Sequence, residues 1–274
     1  MLLLIIFMFY PLIDGVRISF TNWDGFSQHR NWIGFDNYRR MLSDPEIGRI
    51  IKNTFIYGVG STVLQNVIGL AYALLLNHKL RLMGIARTII YLPVIISPLI
   101  MGYIWYFFLQ YHDGAINDIV LLFRDEPLNL LAVPNLNVWL ITFVNTYQFL
   151  GISMVIFMAG LQVIPKDYYE AAGMDGAGAW TRFTRVTLPL LAPATTVSVV
   201  LNLIGGLKLF DVIRSLTDSG PGHATASLSS IMYKLYFGRQ DAGYAAAIGI
   251  LMILIISAVC LSALSYLRRR EQVL

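Results

Sequence analysis

Five long apolar stretches constrain the fold of this chain more than any other feature of its sequence. A helix needs about 20 apolar residues, each adding roughly 1.5 Å, to cross the hydrocarbon core of a membrane. The chain is 57% hydrophobic and 13% charged, with a mean hydropathy of +0.64, and a soluble domain of 274 residues could not bury that much apolar surface. The sequence therefore predicts an all-α, polytopic membrane protein. The five predicted spans are residues 53–76, 88–110, 138–160, 194–216 and 243–267.

A shorter apolar stretch at the start of the chain predicts a sixth span. Residues 1–13 are apolar, and Asp14 follows them. A secretory signal peptide is the alternative, but this stretch lacks the basic n-region and the small-residue cleavage site of such a peptide. We therefore interpret residues 1–20 as an abbreviated first span, which gives six transmembrane helices in a single domain of residues 1–274.

Basic residues are concentrated in three of the segments that lie outside the predicted spans. Residues 77–87, 161–193 and 268–274 together carry 9 Lys and Arg against 4 Asp and Glu, whereas the rest of the chain carries 11 against 12. Cytoplasmic loops of membrane proteins carry an excess of Lys and Arg. Six spans place these three segments on one side, so we predict that they and both termini face the cytoplasm. The predicted outer loops are residues 14–52, 111–137 and 217–242.

The sequence also excludes several classes of function. Cys260 is the one cysteine and lies in an apolar stretch, so neither disulfides nor thiol catalysis is expected. The four histidines are scattered singly, without the paired spacing of a metal site. No G-x-x-x-x-G-K-[ST] phosphate-binding sequence is present, so an ATPase would have to be another polypeptide. Nucleic-acid binding would need a continuous basic face, which the sequence does not show.

The segment between the fourth and fifth predicted spans, residues 161–193, combines charges, glycines and short helical patterns. Its first part favours a short helix with Glu170 near the N-terminal end, where a negative charge suits the helix dipole. Asp167 is well placed to cap this helix. Gly176 permits a positive φ angle and would end the helix sharply. A second short helix is predicted over residues 180–186.

The spacing in this segment resembles the loop by which permease subunits of ABC importers dock onto their ATPase. That loop reads E-A-A, three residues, G, nine residues, I-x-L-P, and this chain matches it with Val186 in place of the usual isoleucine. Asp175-Gly176-Ala177 and Leu188-Pro189 further resemble the carbohydrate-importer branch of the family. The resemblance implies a set of residues that couple transport to the ATPase. These residues are Glu170, Ala171, Ala172, Asp175, Gly176, Leu188 and Pro189.

The same resemblance implies the partners and the location of the chain. An importer of this type contains a second homologous permease subunit, a dimer of ATPase subunits that bind ATP and Mg²⁺, and an extracytoplasmic sugar-binding protein. It lies among the lipids of the cytoplasmic (inner) membrane of a bacterium or archaeon. This chain would itself hold no cofactor and no metal, and it would bind no nucleic acid.

Polar residues inside the fourth and fifth predicted spans are candidates for the path of the substrate. Ionisable groups within a span cost about 2.5–3.5 kcal/mol each on insertion scales. Lys208 and Asp211 therefore face either a cavity or each other, since residues three apart share a helix face. Sugars are bound by amide and carboxylate hydrogen bonds and by aromatic faces. The fourth span supplies amide and aromatic groups of this kind at Asn145, Tyr147, Gln148 and Phe149.

A resemblance to the maltose-type permease makes this substrate path more specific. In that permease, an asparagine that precedes the E-A-A glutamate by the same interval as Asn145 precedes Glu170 lines the sugar site. This implies a site at Asn145, with Asn202 and Gly206 facing it from the fifth span. Packing in the core is the alternative role for Asn145, because many related permeases take their selectivity from an external binding protein.

Other function classes remain open at this point. An ABC importer of another solute, such as glycerol phosphate, would favour an arginine cluster in the pore, which the predicted spans do not contain. An ion-coupled secondary transporter would need a relay of acids inside the membrane. A membrane-embedded enzyme would need a nucleophile with its base, or a metal constellation, and the sequence supports neither.

Overall fold

A computed structural model describes residues 2–77 and 81–271, and these residues are almost entirely helical. Within the two described ranges the chain forms no sheet, apart from an isolated bridge between Thr21 and Trp32. The predicted all-α class is therefore confirmed. The helices are α1 (residues 2–18), α2 (Asp36–Ser43), α3 (Ile47–Leu76), α4 (Arg81–Ile95), α5 (Pro98–Leu109), α6 (Ala115–Val120), α7 (Pro134–Val163), α8 (Lys166–Met174), α9 (Ala179–Leu190), α10 (Ala192–Leu207), α11 (Asp211–Leu216), α12 (residues 228–238) and α13 (Ala242–Glu271).

Three described helices are each long and apolar enough to cross a membrane alone. They are α3, α7 and the Ala242–Arg269 part of α13. Two more crossings are obtained if bent pairs count as single spans, namely α4 with α5 and α9 with α10. The described chain thus has three to five candidate spans by length and composition. The first predicted span corresponds to α1, which is not among them, so the count of six stays a prediction.

The third predicted span, residues 88–110, is a bent pair of helices rather than one straight helix. α4 and α5 meet at an angle of 99°. The break is at Ser97, whose backbone is extended (ψ 135°) because the ring of the following Pro98 disfavours a helical conformation there. The side-chain amide of Gln148 in α7 donates a 2.8 Å hydrogen bond to the Ile96 carbonyl, which satisfies an acceptor beside the break.

The fifth predicted span, residues 194–216, is also interrupted, because α10 and α11 are separate helices. Between them the backbone leaves the helical conformation at Phe210, where φ is −134°. The hydroxyl of Ser227 donates a 2.8 Å hydrogen bond to the Leu209 carbonyl. In a continuous helix, the Leu209 carbonyl would accept a backbone hydrogen bond. Here the side chain of Ser227, from a later part of the chain, donates to it instead.

This interruption places Lys208 and Asp211 on different elements. Lys208 follows the end of α10, and its carbonyl accepts a 3.2 Å hydrogen bond from the hydroxyl of Ser229. The side chain of Lys208 is exposed, whereas Asp211 is half-buried. No ion pair joins the two residues in the described part of the chain. The interpretation that these charges pair on one helix face is therefore wrong.

α3, α7 and α10 pack closely against one another at the centre of the fold. Gly69 of α3 lies against Ser153 of α7, and a Cβ on this glycine would be 2.6 Å from the Cβ of Ser153. Gly206 of α10 lies close to α3, where its Cβ would be 2.8 Å from the carbonyl oxygen of Tyr57. Both glycines therefore permit an approach of two helices that a side chain would prevent.

Buried polar side chains order the chain around α2 and the segment between α11 and α12. Asn37 of α2 donates hydrogen bonds of 2.9 Å to the carbonyls of Ser19 and Thr21. Asn53 of α3 donates a 2.8 Å hydrogen bond to the carbonyl of Ala224. These segments have few helical hydrogen bonds of their own, so the asparagines satisfy backbone groups that would otherwise be unpaired.

Candidate substrate cavity and coupling loop

A cavity of about 240 Å³ lies where α3, α7 and α10 meet. Its walls include Asn145 and Asn202, which the sequence predicts to face each other from two spans, together with Gly206. Among the described residues, no charged side chain lines it. The lining consists of Gln65, Asn145, Phe149, Ile152, Leu201, Asn202, Gly205 and Gly206.

Asn145 is the cavity residue with the most hydrogen-bonding capacity left for a ligand. Only 2% of the residue is exposed, and its backbone carbonyl accepts a 3.0 Å hydrogen bond from the side-chain amide of Gln65. The carboxamide of Asn145 itself has no hydrogen-bond partner in the described chain. Its donor and acceptor groups are therefore available to a ligand in the cavity.

Gln65 adds a second amide to the cavity and is not among the residues predicted from the sequence. Its Nε2 bonds to the Asn145 carbonyl, whereas its Oε1 is buried without a hydrogen-bond partner in the described chain. The signal in the sequence is a glutamine within the apolar stretch 53–76, because a buried amide needs partners. That signal does not show which neighbour the glutamine meets, so the fold was needed to place it.

The α10 wall of the cavity is held by a cluster of small polar side chains. The Nδ2 of Asn202 donates a 2.7 Å hydrogen bond to the hydroxyl of Ser153, and the hydroxyl of Ser198 donates a 3.1 Å bond to the same oxygen. Gly205 lies three residues after Asn202 in the same helix. A Cβ added to Gly205 would have no atom of a neighbouring element within 4 Å. The wall is therefore fixed at Asn202 and open at Gly205.

The structure does not bring the other predicted path residues into this cavity. Tyr147 is 40% exposed, and its ring packs edge-on against Trp105 of α5, with the ring centroids 5.7 Å apart. Gln148 is buried and bonds at the break between α4 and α5. Lys208 and Asp211 lie beyond the end of α10. None of these four residues lines the cavity.

The first helix of the predicted coupling loop (residues 161–193), α8, ends in a hydrogen-bonded turn at Gly176. This residue has a φ of +75°, so the predicted positive φ is confirmed. The N–H of Ala177 donates a 2.9 Å bond to the Ala172 carbonyl, and the N–H of Gly176 donates a 3.1 Å bond to the Gly173 carbonyl. These two bonds form a Schellman motif, in which a glycine at positive φ terminates a helix.

The start of α8 and the second loop helix differ from the prediction. α8 begins at Lys166 after Pro165, whose backbone is extended (ψ 140°), and no side chain caps it. Asp167 therefore lies in the first turn, where its charge suits the helix dipole without acting as a cap. The helix predicted over residues 180–186 is part of the longer α9, which contains a π-helical turn at Phe183–Thr187.

Two hydrogen bonds join the two arms of the coupling loop. The Nε of Arg182 in α9 donates a 2.9 Å bond to the Ala177 carbonyl, just after the glycine turn. The hydroxyls of Tyr169 in α8 and Thr187 in α9 lie 3.1 Å apart. The loop is therefore a folded unit rather than a solvated connector.

The surface of this loop exposes large apolar side chains and acidic groups. Tyr168, Met174 and Trp180 are 53%, 85% and 74% exposed, respectively. Glu170 and Asp175 are exposed and form no ion pair in the described chain. Exposed apolar side chains of this size, grouped on one segment, suit contact with another protein or with the membrane surface. Of the other predicted coupling residues, Ala171 and Leu188 are exposed, and Ala172 and Pro189 are half-buried.

The coupling loop directly connects the two helices that carry the asparagines of the cavity. α7 contains Asn145 and ends at Val163, immediately before the loop. On the return, α9 meets α10 at an angle of 66°, and α10 contains Asn202. The loop and the cavity are thus joined by two helices, with one short bend on the return path.

Comparison with known proteins identifies the class to which this arrangement belongs. The family model of the inner membrane component of binding-protein-dependent transport systems matches residues 65–272, which include the cavity and the loop. The chain belongs to this family. The predicted resemblance to permease subunits of ABC importers is therefore confirmed.

Individual permeases of the family match over nearly the whole chain. A probable starch degradation products transport system permease protein of Thermoanaerobacterium thermosulfurigenes is 34% identical, over 99% of this chain and 92% of its own length. A trehalose/maltose transport system permease protein of Thermococcus litoralis is 32% identical, over 92% of this chain and 85% of its own length.

A solved ABC importer shares the fold as well. The structure of a bacterial ABC transporter involved in the import of the acidic polysaccharide alginate covers 98% of this chain and 92% of the matched permease. The TM-score is 0.84 at 26% sequence identity. A bacterial alginate ABC transporter in complex with an alginate pentasaccharide-bound periplasmic protein matches with the same TM-score at 25% identity.

Proposed function

We propose that this chain is one permease subunit of an ATP-driven importer of a sugar or oligosaccharide, and that it forms half of the translocation pore. The observation that carries the proposal is the direct connection between the cavity and the coupling loop. α7 and α10 supply two walls of the cavity, and the chain between them is the loop itself. A movement of the loop would therefore reach the cavity through helices rather than through a flexible linker.

The chemistry of the cavity supports a neutral sugar as the ligand. Asn145 and Gln65 offer amide groups that can donate to and accept from sugar hydroxyls, and Phe149 offers an aromatic face. A phosphate ligand such as glycerol phosphate would favour arginine or lysine, and the described lining has neither. Relatives named for starch degradation products and for trehalose and maltose agree with this choice of ligand.

The size of the cavity supports a second permease as partner. Small-molecule sites typically have volumes of about 300–1,000 Å³, and the cavity here has about 240 Å³. A second homologous subunit would complete the site by closing its open side. Unpartnered apolar surface on α1, where Leu3 and Phe7 are 70% and 73% exposed, is available for contact with that subunit or with lipid.

The surface of the coupling loop supports the assignment of the remaining partners. Met174 and Trp180 offer apolar contacts to an ATPase dimer, which would bind the ATP and Mg²⁺ that this chain has no sequence motif to hold. An extracytoplasmic binding protein would deliver the sugar at the opposite side, as the complex with the alginate transporter illustrates for that protein. In this arrangement the chain crosses the inner membrane six times, with both termini and the coupling loop in the cytoplasm.

The test is reconstitution of the complete transporter. The chain is purified from its native membrane with the subunits that accompany it and is placed in vesicles with its binding protein. Uptake of labelled maltotriose, trehalose and lactose is then measured with ATP and with an ion gradient. We expect uptake of at least one sugar that requires both ATP and the binding protein. Uptake driven by the ion gradient alone would identify a secondary transporter instead.

A further inference from the structure

A second cavity, of about 520 Å³, lies between α5 and the chain from Arg214 to Pro221. Tyr103 and Tyr106 of α5 line one side of it, and Arg214 and Asp218 line the other. It shares no lining residue with the cavity around Asn145. Its volume falls in the usual range of small-molecule sites, about 300–1,000 Å³.

The α5 side of this second cavity is an aromatic wall with free hydroxyl groups. Tyr103 and Tyr106 are three residues apart, so their rings lie on one face of the helix. They are 48% and 37% exposed, and neither hydroxyl has a hydrogen-bond partner in the described chain. Tyrosines also collect where a protein meets the membrane surface. Tyr103 and Tyr106 differ from such interfacial tyrosines, because they face charged side chains across a cavity rather than lipid alone.

The opposite side is an ordered group of charges centred on Asp218. Arg214 forms an ion pair with this carboxylate, and the Nζ of Lys234 lies 3.6 Å from its Oδ2. The backbone of Asp218 has a φ of 47°, which holds it in a tight turn. A guanidinium has five donors and a carboxylate about four acceptor positions, so both keep groups free for a ligand. Because the charges are already paired, a ligand does not have to order them.

The chemistry of these two walls suits a sugar ring better than an anion or a purely apolar ligand. A pyranose has a C–H face that packs on an aromatic ring, and hydroxyls at its edge that bond to charged groups. An anion would compete with Asp218 for Arg214 and Lys234. A purely apolar ligand would remove water from the charges without replacing its hydrogen bonds.

We propose that this second cavity binds one hexose unit of a neutral sugar on its way to the cavity at Asn145. The inference rests on the proposed function, because the six-span topology places residues 217–242 outside the membrane. The two sites would act in sequence, the first at the outer mouth of the pore and the second within the membrane.

The experiment measures sugar binding to the complete transporter in detergent, without its binding protein. Saturation-transfer NMR is recorded with maltotriose, trehalose and lactose. All complexes carry Asn145→Ala, which weakens sugar binding at the membrane cavity. We expect binding to remain in this background. Tyr103→Ala or Tyr106→Ala should then weaken it roughly 3- to 10-fold, because each removes one ring contact.

Two further variants separate the role of the ring from general damage. Tyr106→Phe keeps the aromatic face and should retain most of the binding. Tyr111→Ala removes a tyrosine of similar exposure, 39%, that does not line the cavity, and it should have no effect. Size-exclusion chromatography shows that each complex has assembled.

Several results would overturn the inference. One is the absence of sugar binding by the Asn145→Ala complex. Another is binding that neither Tyr103→Ala nor Tyr106→Ala changes in assembled complexes. A third requires adding the sugar-free binding protein to the same complexes: variants that weaken only its capture would make the cavity a protein-docking surface. Failure of the proposed function would look different, because the wild-type complex would then show no ATP-dependent uptake of any sugar.

Discussion

The hydroxyl groups of Tyr169 and Thr187 lie 3.1 Å apart and bond the first helix of the coupling loop to the chain that returns to the membrane. Thr187 is only 5% exposed, so the bond is largely shielded from water. A displacement of α8 can therefore reach the cavity by two routes. One route is the backbone of α7, and the other crosses this hydrogen bond into α9 and α10.

Tyr169→Phe should weaken coupling without preventing membrane insertion. The change removes one side-chain hydrogen bond, worth about 0.5–1.5 kcal/mol net, and keeps the ring. We expect basal ATP hydrolysis to continue, while its stimulation by sugar-loaded binding protein falls. Tyr168→Phe is the matched control, because Tyr168 is 53% exposed and its hydroxyl has no hydrogen-bond partner in the described chain. Equal stimulation in the two variants would show that the bond has no part in coupling.

Gly176→Ala should disturb the coupling loop through the backbone alone. At a φ of +75° an L-residue with a Cβ costs about 1–2 kcal/mol, and no atom lies within 4 Å to add a clash. Co-purification of the ATPase should fall, and a β-branched Gly176→Val should reduce it further. Gly178→Ala is the control, since Gly178 has a φ of −70° and equally open surroundings. Similar losses at both positions would contradict the role given to the turn.

Asn145→Ala should reduce sugar uptake several-fold while assembly and basal ATP hydrolysis remain. The variant removes the carboxamide that lacks a partner in the cavity, and one hydrogen bond is worth about 0.5–1.5 kcal/mol. Uptake is measured over a range of sugar concentrations at saturating binding protein. Tyr147→Phe serves for comparison and should transport normally, because Tyr147 lies two residues after Asn145 in α7 but does not line the cavity. Unchanged uptake by Asn145→Ala would leave this residue with a packing role only.

The topology predicted from the charge pattern can be tested by labelling. Single cysteines at Ser43 and Asp175, both exposed, are introduced in a Cys260→Ser background. A membrane-impermeant thiol reagent added to intact cells should label the cysteine at position 43 and not that at 175. After the membrane is permeabilised, both should react. Labelling of position 175 from outside would invert the orientation, and with it the docking role of the loop.

The stability of the complex should fall at mildly acidic pH because of His223. Burial lowers the pKa of this imidazole below its ordinary value of 6.5, and nearby Lys234, Arg239 and Arg49 act in the same direction, against Glu46. The unfolded chain therefore binds the proton more readily, so stability is lost as the pH falls below about 6.5.

The measurement is the Tm of the purified complex between pH 7.5 and pH 5. His223→Gln should make the Tm less dependent on pH in this window, because the side chain no longer titrates. His29→Gln is the control, since His29 is exposed. A pH dependence that His223→Gln leaves unchanged would assign the effect to other groups.

The features that the sequence predicted correctly depend on local patterns. The apolar stretches give the helical class, because their length and composition match a membrane crossing. The turn at Gly176 follows from a glycine placed after a short helical pattern, and a Schellman motif needs nothing from the rest of the chain. The family resemblance predicted that Asn145 and Asn202 face each other, and both residues line one cavity in the structure.

The features that the sequence did not predict depend on distant residues. α10 stops before Lys208 while Ser227 and Ser229 bind carbonyls at the break, and these serines lie a full loop further along the chain. Gln148 appeared to be a path residue, but it bonds to the Ile96 carbonyl at a bend in another helix. Hydropathy alone shows neither contact, because both are polar bonds between separate elements.

α3 lies in close contact with α7 at Gly69 and Ser153, and with α10 at Tyr57 and Gly206. These contacts leave little room for the three helices to slide past one another. The hydrogen bond from Asn202 to Ser153 further stabilises the packing of α10 against α7. Closely packed elements of this kind shift as a whole rather than deform. If a second permease completes the pore, as proposed above, we expect alternating access to occur where that subunit meets these three helices. The sugar would then pass between two moving walls, and neither subunit alone would contain a complete gate.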